Sequence, residues 1–165
     1  MLRSGVKWFI VEIYILVWGG STMFMGKDYN SIDAKNRMII PAKHRNELGL
    51  TCVLTKGIDL CLYIYTMKSW EDFMEKLSKL PSSDPDARAF IRHFYSNAVE
   101  CEVDKNGRIT LPQELREYAE IEKDLVTVGV LDKIEIWSRK QWDNEANSTQ
   151  LPPSEFAKKM VEYGI

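Results

Sequence analysis

Cysteine is scarce in this 165-residue chain: Cys52, Cys61 and Cys101 are its three, and none stands in CxxC spacing. An odd number cannot all pair within one chain, so neither a disulfide framework nor a zinc ribbon is expected, and the thiols read as small hydrophobes of a reduced core. Histidine is scarcer still. His44 and His93 lie far apart with no cysteine pair beside either, so no metal and no cofactor is expected. An excess of positive charge is also missing: 22 Lys and Arg stand against 24 Asp and Glu, a formal net charge of −2. That balance excludes a uniformly basic coat protein and confines any nucleic-acid surface to a local patch. P-loop, G-x-G-x-x-G, G-x-S-x-G and H-E-x-x-H motifs are absent. Glu100 and Glu102 share one face of an alternating segment with Cys101 on the other, which reads as a solvated strand rather than an acid–base pair. The chain is not expected to be an enzyme.

A long apolar run is lacking too. Trp8 to Trp18 is eleven residues broken by Glu12, whereas a membrane span needs about 20. Arg3 and Lys7 before the run and small residues after it suit a signal peptide, but Glu12 in its middle does not. Gly19-Gly20 is necessarily encoded GGN-GGN, a purine-rich pair six nucleotides ahead of the Met23 codon, spaced like a ribosome-binding site. Residues 1–22 are therefore expected to be a misannotated extension, with a signal or anchor and a genuine extra element as alternatives. No membrane association is expected for the chain from Met23.

What the sequence does contain is a repeat. Residues 33–45 (DAKNRMIIPAKHR) match residues 104–116 (DKNGRITLPQELR) at a constant offset of 71, sharing the skeleton Asp-x3-Arg-x3-Pro-x3-Arg. In each copy Asp33 or Asp104 opens a tight turn in which Asn36 or Gly107 takes a positive φ. A strand follows and runs into Pro41 or Pro112, placed at the first turn of a short helix. That helix ends near Leu48-Gly49 in the first copy and Tyr118-Ala119 in the second. Two β-branched or aromatic runs close each copy, at 51–55 and 60–65 in the first and 126–130 and 133–137 in the second, each pair followed by a tryptophan, Trp70 and Trp142, now at an offset of 72. The unit is strand, turn, strand, helix, strand, strand. One such unit has too little core to stand alone.

Between the copies, Trp70, Phe73, Met74 and Leu77 mark one amphipathic helix over 67–80, and Phe90, Ile91, Phe94 and Tyr95 mark a second over 86–96. Both stripes read as core, and the surplus around Phe73, Phe90 and Phe94 as candidate subunit contacts. Residues 144–150 read as a linker, followed by a short C-terminal helix with Ser154 as its cap. The organisation expected is a domain over 23–165, with a first repeat over 27–70, a helical insert over 71–97, a second repeat over 98–142 and a helix over 152–165.

These motifs resemble the MraZ family, within the wider group of AbrB-like swapped-hairpin DNA-binding proteins. The resemblance runs from Met23 to the C-terminus and is carried by the two Asp-x3-Arg motifs, each followed by an aliphatic strand, a proline and a further arginine. Met23-Phe24-Met25-Gly26 also matches the family's start. Asn36 departs from the family's glycine, and His44 from its aromatic residue. The resemblance implies an α+β, β-rich fold in which two tandem pseudo-symmetric repeats interleave as a double-split, swapped-hairpin β-barrel with added helices. It further implies a cytoplasmic, nucleoid-associated transcriptional regulator of the bacterial division and cell-wall gene cluster. Such a regulator binds promoter-proximal repeats of double-stranded DNA as a ring-shaped homo-oligomer. An antitoxin-like interaction module with the same type of fold is the alternative.

Charge divides the copies. Residues 33–45 carry four cations and one anion, a net +3, and residues 104–116 three cations and two anions, a net +1. Arginine's planar fork can bond two acceptors of guanine, and lysine supplies a point charge for phosphate. With the resemblance, Lys35, Arg37, Lys43, Arg45 and Arg108 are the expected DNA contacts, and Asp33, Asn36, Asp104 and Gly107 the turn formers. The competing reading of Arg37 and Arg108 is a structural pairing with Asp33 and Asp104.

Overall fold

The computed structural model describes residues 23–146 and 152–164; the readings of residues 1–22 and of the segment 147–151 lie outside them. The first copy opens with β1 (Phe24–Ser31), turns at Asp33, and returns in β2 (Arg37–Ile39). Asn36 takes φ 59° in that turn; asparagine is one of the few residues with a Cβ that adopts this conformation readily. Pro41 stands one residue ahead of α1 (Ala42–Leu48) with ψ 133°, so it turns the chain out of the ribbon rather than sitting in the helix's first turn. Gly49 ends the helix at φ 79°, and β3 (Thr51–Lys56) and β4 (Leu62–Thr66) follow.

The insert forms α2 (Met67–Ser78), capped by the Thr66 hydroxyl, and α3 (Pro85–Tyr95), capped by Asp84 with Pro85 in the first turn. The second copy repeats the first as β5 (Val99–Glu102), β6 (Arg108–Thr110), α4 (Gln113–Tyr118), β7 (Asp124–Leu131) and β8 (Lys133–Ser138). Here Gly107 takes φ 75°. The chain then continues through α5 (Arg139–Gln141) into a π-helical turn over Trp142–Ala146, so the expected linker starts later than Asn144. The C-terminal helix α6 (Pro153–Met160) is preceded by Pro152 with no side-chain cap, in place of the expected Ser154 cap.

Six strands make one antiparallel sheet in the order β1-β7-β8-β4-β3-β5, and β2 and β6 pair separately as a two-stranded ribbon. The copies are interlocked, because β1 pairs with β7 of the second copy and β5 with β3 of the first. The expected closed barrel is not formed: β1 and β5 are opposite edges of an open sheet, and the three-residue strands β2 and β6 bond to each other rather than bridging those edges. What remains of the expectation is a mixed α+β, β-rich fold built from two tandem repeats.

Alternation along the strands divides the core in two. One layer, between the sheet and the ribbon, contains Met38, Ile40, Leu54, Leu62, Ile64, Ile109, Leu111, Ile134 and Ile136. The other lies under α2 and α3, where Phe94 is buried among the rings of Tyr63, Phe73 and Phe90, at centroid distances of 6.3, 5.0 and 5.0 Å. Phe94 is therefore core and not a subunit contact, Phe73 is half-buried against it, and of the three phenylalanines only Phe90 is exposed. The three cysteines are buried and free.

Candidate nucleic-acid interface

The two turns are built alike. The Asp33 carboxylate accepts from the amides of Lys35 and Arg37 at 2.9 and 3.0 Å and from Arg37 Nε at 2.8 Å. Asp104 accepts from the amides of Asn106 and Arg108 at 2.9 and 2.8 Å and from Arg108 Nε at 2.9 Å. In both, the arginine amide is the foremost cause, joined by the guanidinium, that holds the carboxyl below the usual aspartate range against an opposing desolvation. These are hydrogen bonds to a charged acceptor, stronger than neutral ones. The structural pairing of Asp33 with Arg37 and Asp104 with Arg108 is thus present.

The pairing uses one edge of each guanidinium. Only Nε is engaged, and the arginine side chains stay partly exposed at 26% and 27%. The ribbon sets their direction. Met38 and Ile109 are fully buried beneath it, so alternation places Arg37, Ile39, Arg108 and Thr110 on the outward face, with Arg37 opposite Thr110 and Arg108 opposite Ile39. The two arginines stand diagonally across a two-stranded ribbon. Two further bonds between the turns, Ile40 N–H to the Gly107 carbonyl at 2.7 Å and Leu111 N–H to the Asn36 carbonyl at 2.9 Å, fix the turns side by side.

The other expected site residues are placed differently. Lys35 is exposed on the first turn, and Lys105, unforeseen as a site residue, is exposed on the second. Lys43 bonds the Asp28 carboxylate at 2.8 Å, so its charge is offset. The signal for that pair lay in β1, whose alternation puts Asp28 on the face of the buried Phe24. Arg45 donates from Nε to the Ile40 carbonyl at 2.9 Å, as Arg116 does to Leu111 at 3.0 Å. Arg45 also covers the Gly107 turn, where an added Cβ would meet its guanidinium. It braces the turns from behind the ribbon's end. His44 is buried edge-on against Phe24 at 5.2 Å, with burial first and Lys43 second lowering its pKa. His93 is half-buried and bonds the Gly57 carbonyl at 2.8 Å. No cluster of metal-ligating side chains and no helix long and apolar enough to cross a membrane occurs among the described residues.

Fold and site together define an internally duplicated α+β protein in which two Asp-turn-Arg units are knitted into one sheet and present paired arginines on a common ribbon. A family model described as "MraZ protein, putative antitoxin-like" matches twice, over residues 23–93 and 94–162. "Transcriptional regulator MraZ" of Clostridium tetani is 51% identical over 143 residues, covering 87% of this chain and 100% of the relative. The protein of the same name from Moorella thermoacetica is 49% identical with the same coverage. The chain belongs to the MraZ family.

Proposed function

We propose that this chain is a transcriptional regulator that binds double-stranded DNA through the β2–β6 ribbon. The observation that carries the reading is the pair Arg37 and Arg108, diagonal on the ribbon's outward face and each oriented by an aspartate at its Nε edge. A two-stranded ribbon is of a size to enter the major groove, and an arginine fork bonds guanine there through two acceptors. Lys35 and Lys105 flank the ribbon at positions suited to phosphate. In this reading Arg45 supports the turns, and Lys43, held by Asp28 of β1, is a secondary phosphate contact. The exchange of first strands between copies is the basis for regarding the fold as a swapped hairpin. The family resemblance implies targets in the division and cell-wall gene cluster. There a cytoplasmic, nucleoid-associated ring of subunits would engage several promoter-proximal repeats, since linked identical surfaces gain affinity by effective concentration.

The test begins with genome-wide mapping of bound DNA, followed by titration of the mapped sequence with the full chain. Arg37→Ala and Arg108→Ala should each cost about 1–3 kcal/mol of specific binding, and Lys35→Ala should reduce the salt slope by about one phosphate's worth. Arginine variants that bind as the parent does would overturn the reading. If their binding loss is matched by an equal loss of thermal stability and of nonspecific binding, the arginines are structural only.

A further inference from the structure

Among the described residues the sheet leaves two edges open, and they are complementary. β1 and β5 are the outermost strands. The bond from Ile32 N–H to the Lys123 carbonyl at 2.9 Å sets the phase of the β1–β7 ladder, so the backbone groups of Met25, Lys27, Tyr29 and Ser31 point away from it. The bond from Val103 N–H to the Leu50 carbonyl at 2.9 Å sets the phase of the β3–β5 ladder in the same way, leaving the backbone of Glu100 and Glu102 pointing outward. None of these six residues has a backbone bond outside its own ladder among the described residues.

Both edges carry their outward side chains on one face of the sheet, the face that α2 and α3 cover at its centre. On the β1 edge this face holds Met25, 70% exposed, then Lys27, then Tyr29, with the Arg139 guanidinium 4.6 Å from the Tyr29 ring. The Lys27 ammonium lies 5.9 Å from the Tyr29 ring and 5.7 Å from the Trp142 ring, and has no carboxylate within ion-pair distance among the described residues. The β5 edge holds Glu100 and Glu102, likewise without a cation at ion-pair distance. Beside Glu100 lies an open hollow of about 230 Å³ lined by Val53, Met67, Trp70, Tyr95 and Ala98. One edge offers a cation between two exposed apolar side chains, and the other offers carboxylates beside an apolar hollow.

Direction agrees as well. Neighbouring strands alternate in direction across the six, so β1 and β5 run oppositely, and a second copy in the same orientation brings its β1 antiparallel to the first copy's β5. We propose that copies of this chain assemble head to tail by pairing the β1 edge of one with the β5 edge of the next, Lys27 meeting Glu100 and Glu102 of its neighbour. Main-chain bonds supply the affinity of such strand addition, and the opposed charges fix its register and exclude β1–β1 or β5–β5 pairing. A contact between two different surfaces of one molecule closes into a ring when the rotation permits. The inference rests on the ring reading above and gives that ring a specific contact.

Light scattering on the full chain after size exclusion tests it without DNA. Lys27→Glu alone, and Glu100→Lys with Glu102→Lys, should each lower the mass from that of the parent assembly toward that of one chain, with unchanged circular dichroism. Mixing the two variants in equal amounts should restore the assembly, because each then supplies the edge the other needs. A parent that assembles while both variants retain its mass overturns the edge contact and leaves the ring standing. A mixture that stays dissociated overturns it too. A parent that is a monomer at working concentration overturns the ring reading and the edge contact together.

Discussion

Tyr63 and Glu135 lie opposite each other in the β4–β8 ladder, although each holds the same place in its own copy. Met38 and Ile109 do the same in the ribbon. A pseudo-two-fold axis passes through both pairs, and a residue on such an axis must face its own counterpart. Two tyrosines or two glutamates there would crowd or repel. One of each allows Glu135 to accept from Trp137 Nε1 at 3.4 Å while Lys133 sits 5.1 Å from the Tyr63 ring.

Glu135 gives a stability that falls as pH rises. Desolvation, ahead of all other influences, raises its pKa above the usual glutamate value. A raised acid binds its proton more tightly when folded, so ionisation above about pH 4.3 favours the unfolded chain. Glu135→Gln should therefore be more stable than the parent at pH 7, with the difference vanishing on acidification below pH 4. Urea denaturation at both pH values measures it.

Asp33 and Asp104 act in the opposite sense. Their folded pKa values are depressed, so their contribution is complete above about pH 3.9 and is lost as pH falls through the lower folded value. The variant with both Asp33→Asn and Asp104→Asn should lose less stability on acidification over that window than the parent. Acid titrations followed by tryptophan fluorescence compare the two.

Gly107 and Asn36 should respond unequally to substitution although they are counterparts. At Gly107, φ 75° coincides with Arg45 Cδ only 3.0 Å from an added Cβ, so Gly107→Ala should cost about 1–3 kcal/mol. Asn36→Gly retains the same turn at φ 59° and should change stability by less than about 1 kcal/mol. Equilibrium denaturation resolves the difference, and equal costs would show that φ and the Arg45 contact do not govern the turn.

The thiols should be silent in the folded protein. Burial pushes the Cys52 thiol up to about 12, with Cys101 beside it adding to the shift, and raises Cys61 and Cys101 as well. A thiol in that range holds almost no thiolate, the reactive form. Alkylation at pH 8 should label none of the three in the native chain and all three in guanidinium, counted by intact mass.

Much of this was legible because local chemistry and global fold agree. The Asp-x3-Arg skeleton determines its own turn, and the positive φ at Asn36 and Gly107 follows from the residue types alone. Both insert helices lie where their apolar spacing puts them, within two residues at each end. The open sheet was not legible, since strand pairing depends on which distant edges meet, and the β1–β7 and β3–β5 exchanges join segments that no periodicity connects. At the site, sequence separation concealed Asp28 as the partner of Lys43. Charge counting was equally blind to the partners of Lys43 and Arg45, because a net +3 over thirteen residues does not record which cations are already engaged.

Exchange of first strands also sets a timetable for synthesis. Phe24 is among the earliest described residues to be made, yet its ladder partner is Leu131, near the end of the second copy. β1 must therefore wait, unpaired and bearing an aromatic side chain destined for the core, until nearly all of the domain has been translated. Non-local pairing of this kind is slow to form, and a waiting strand is open to capture by other chains. The nascent polypeptide thus has a window of vulnerability that closes only when β7 arrives, and chains stalled between the two copies should be the ones that chaperones hold.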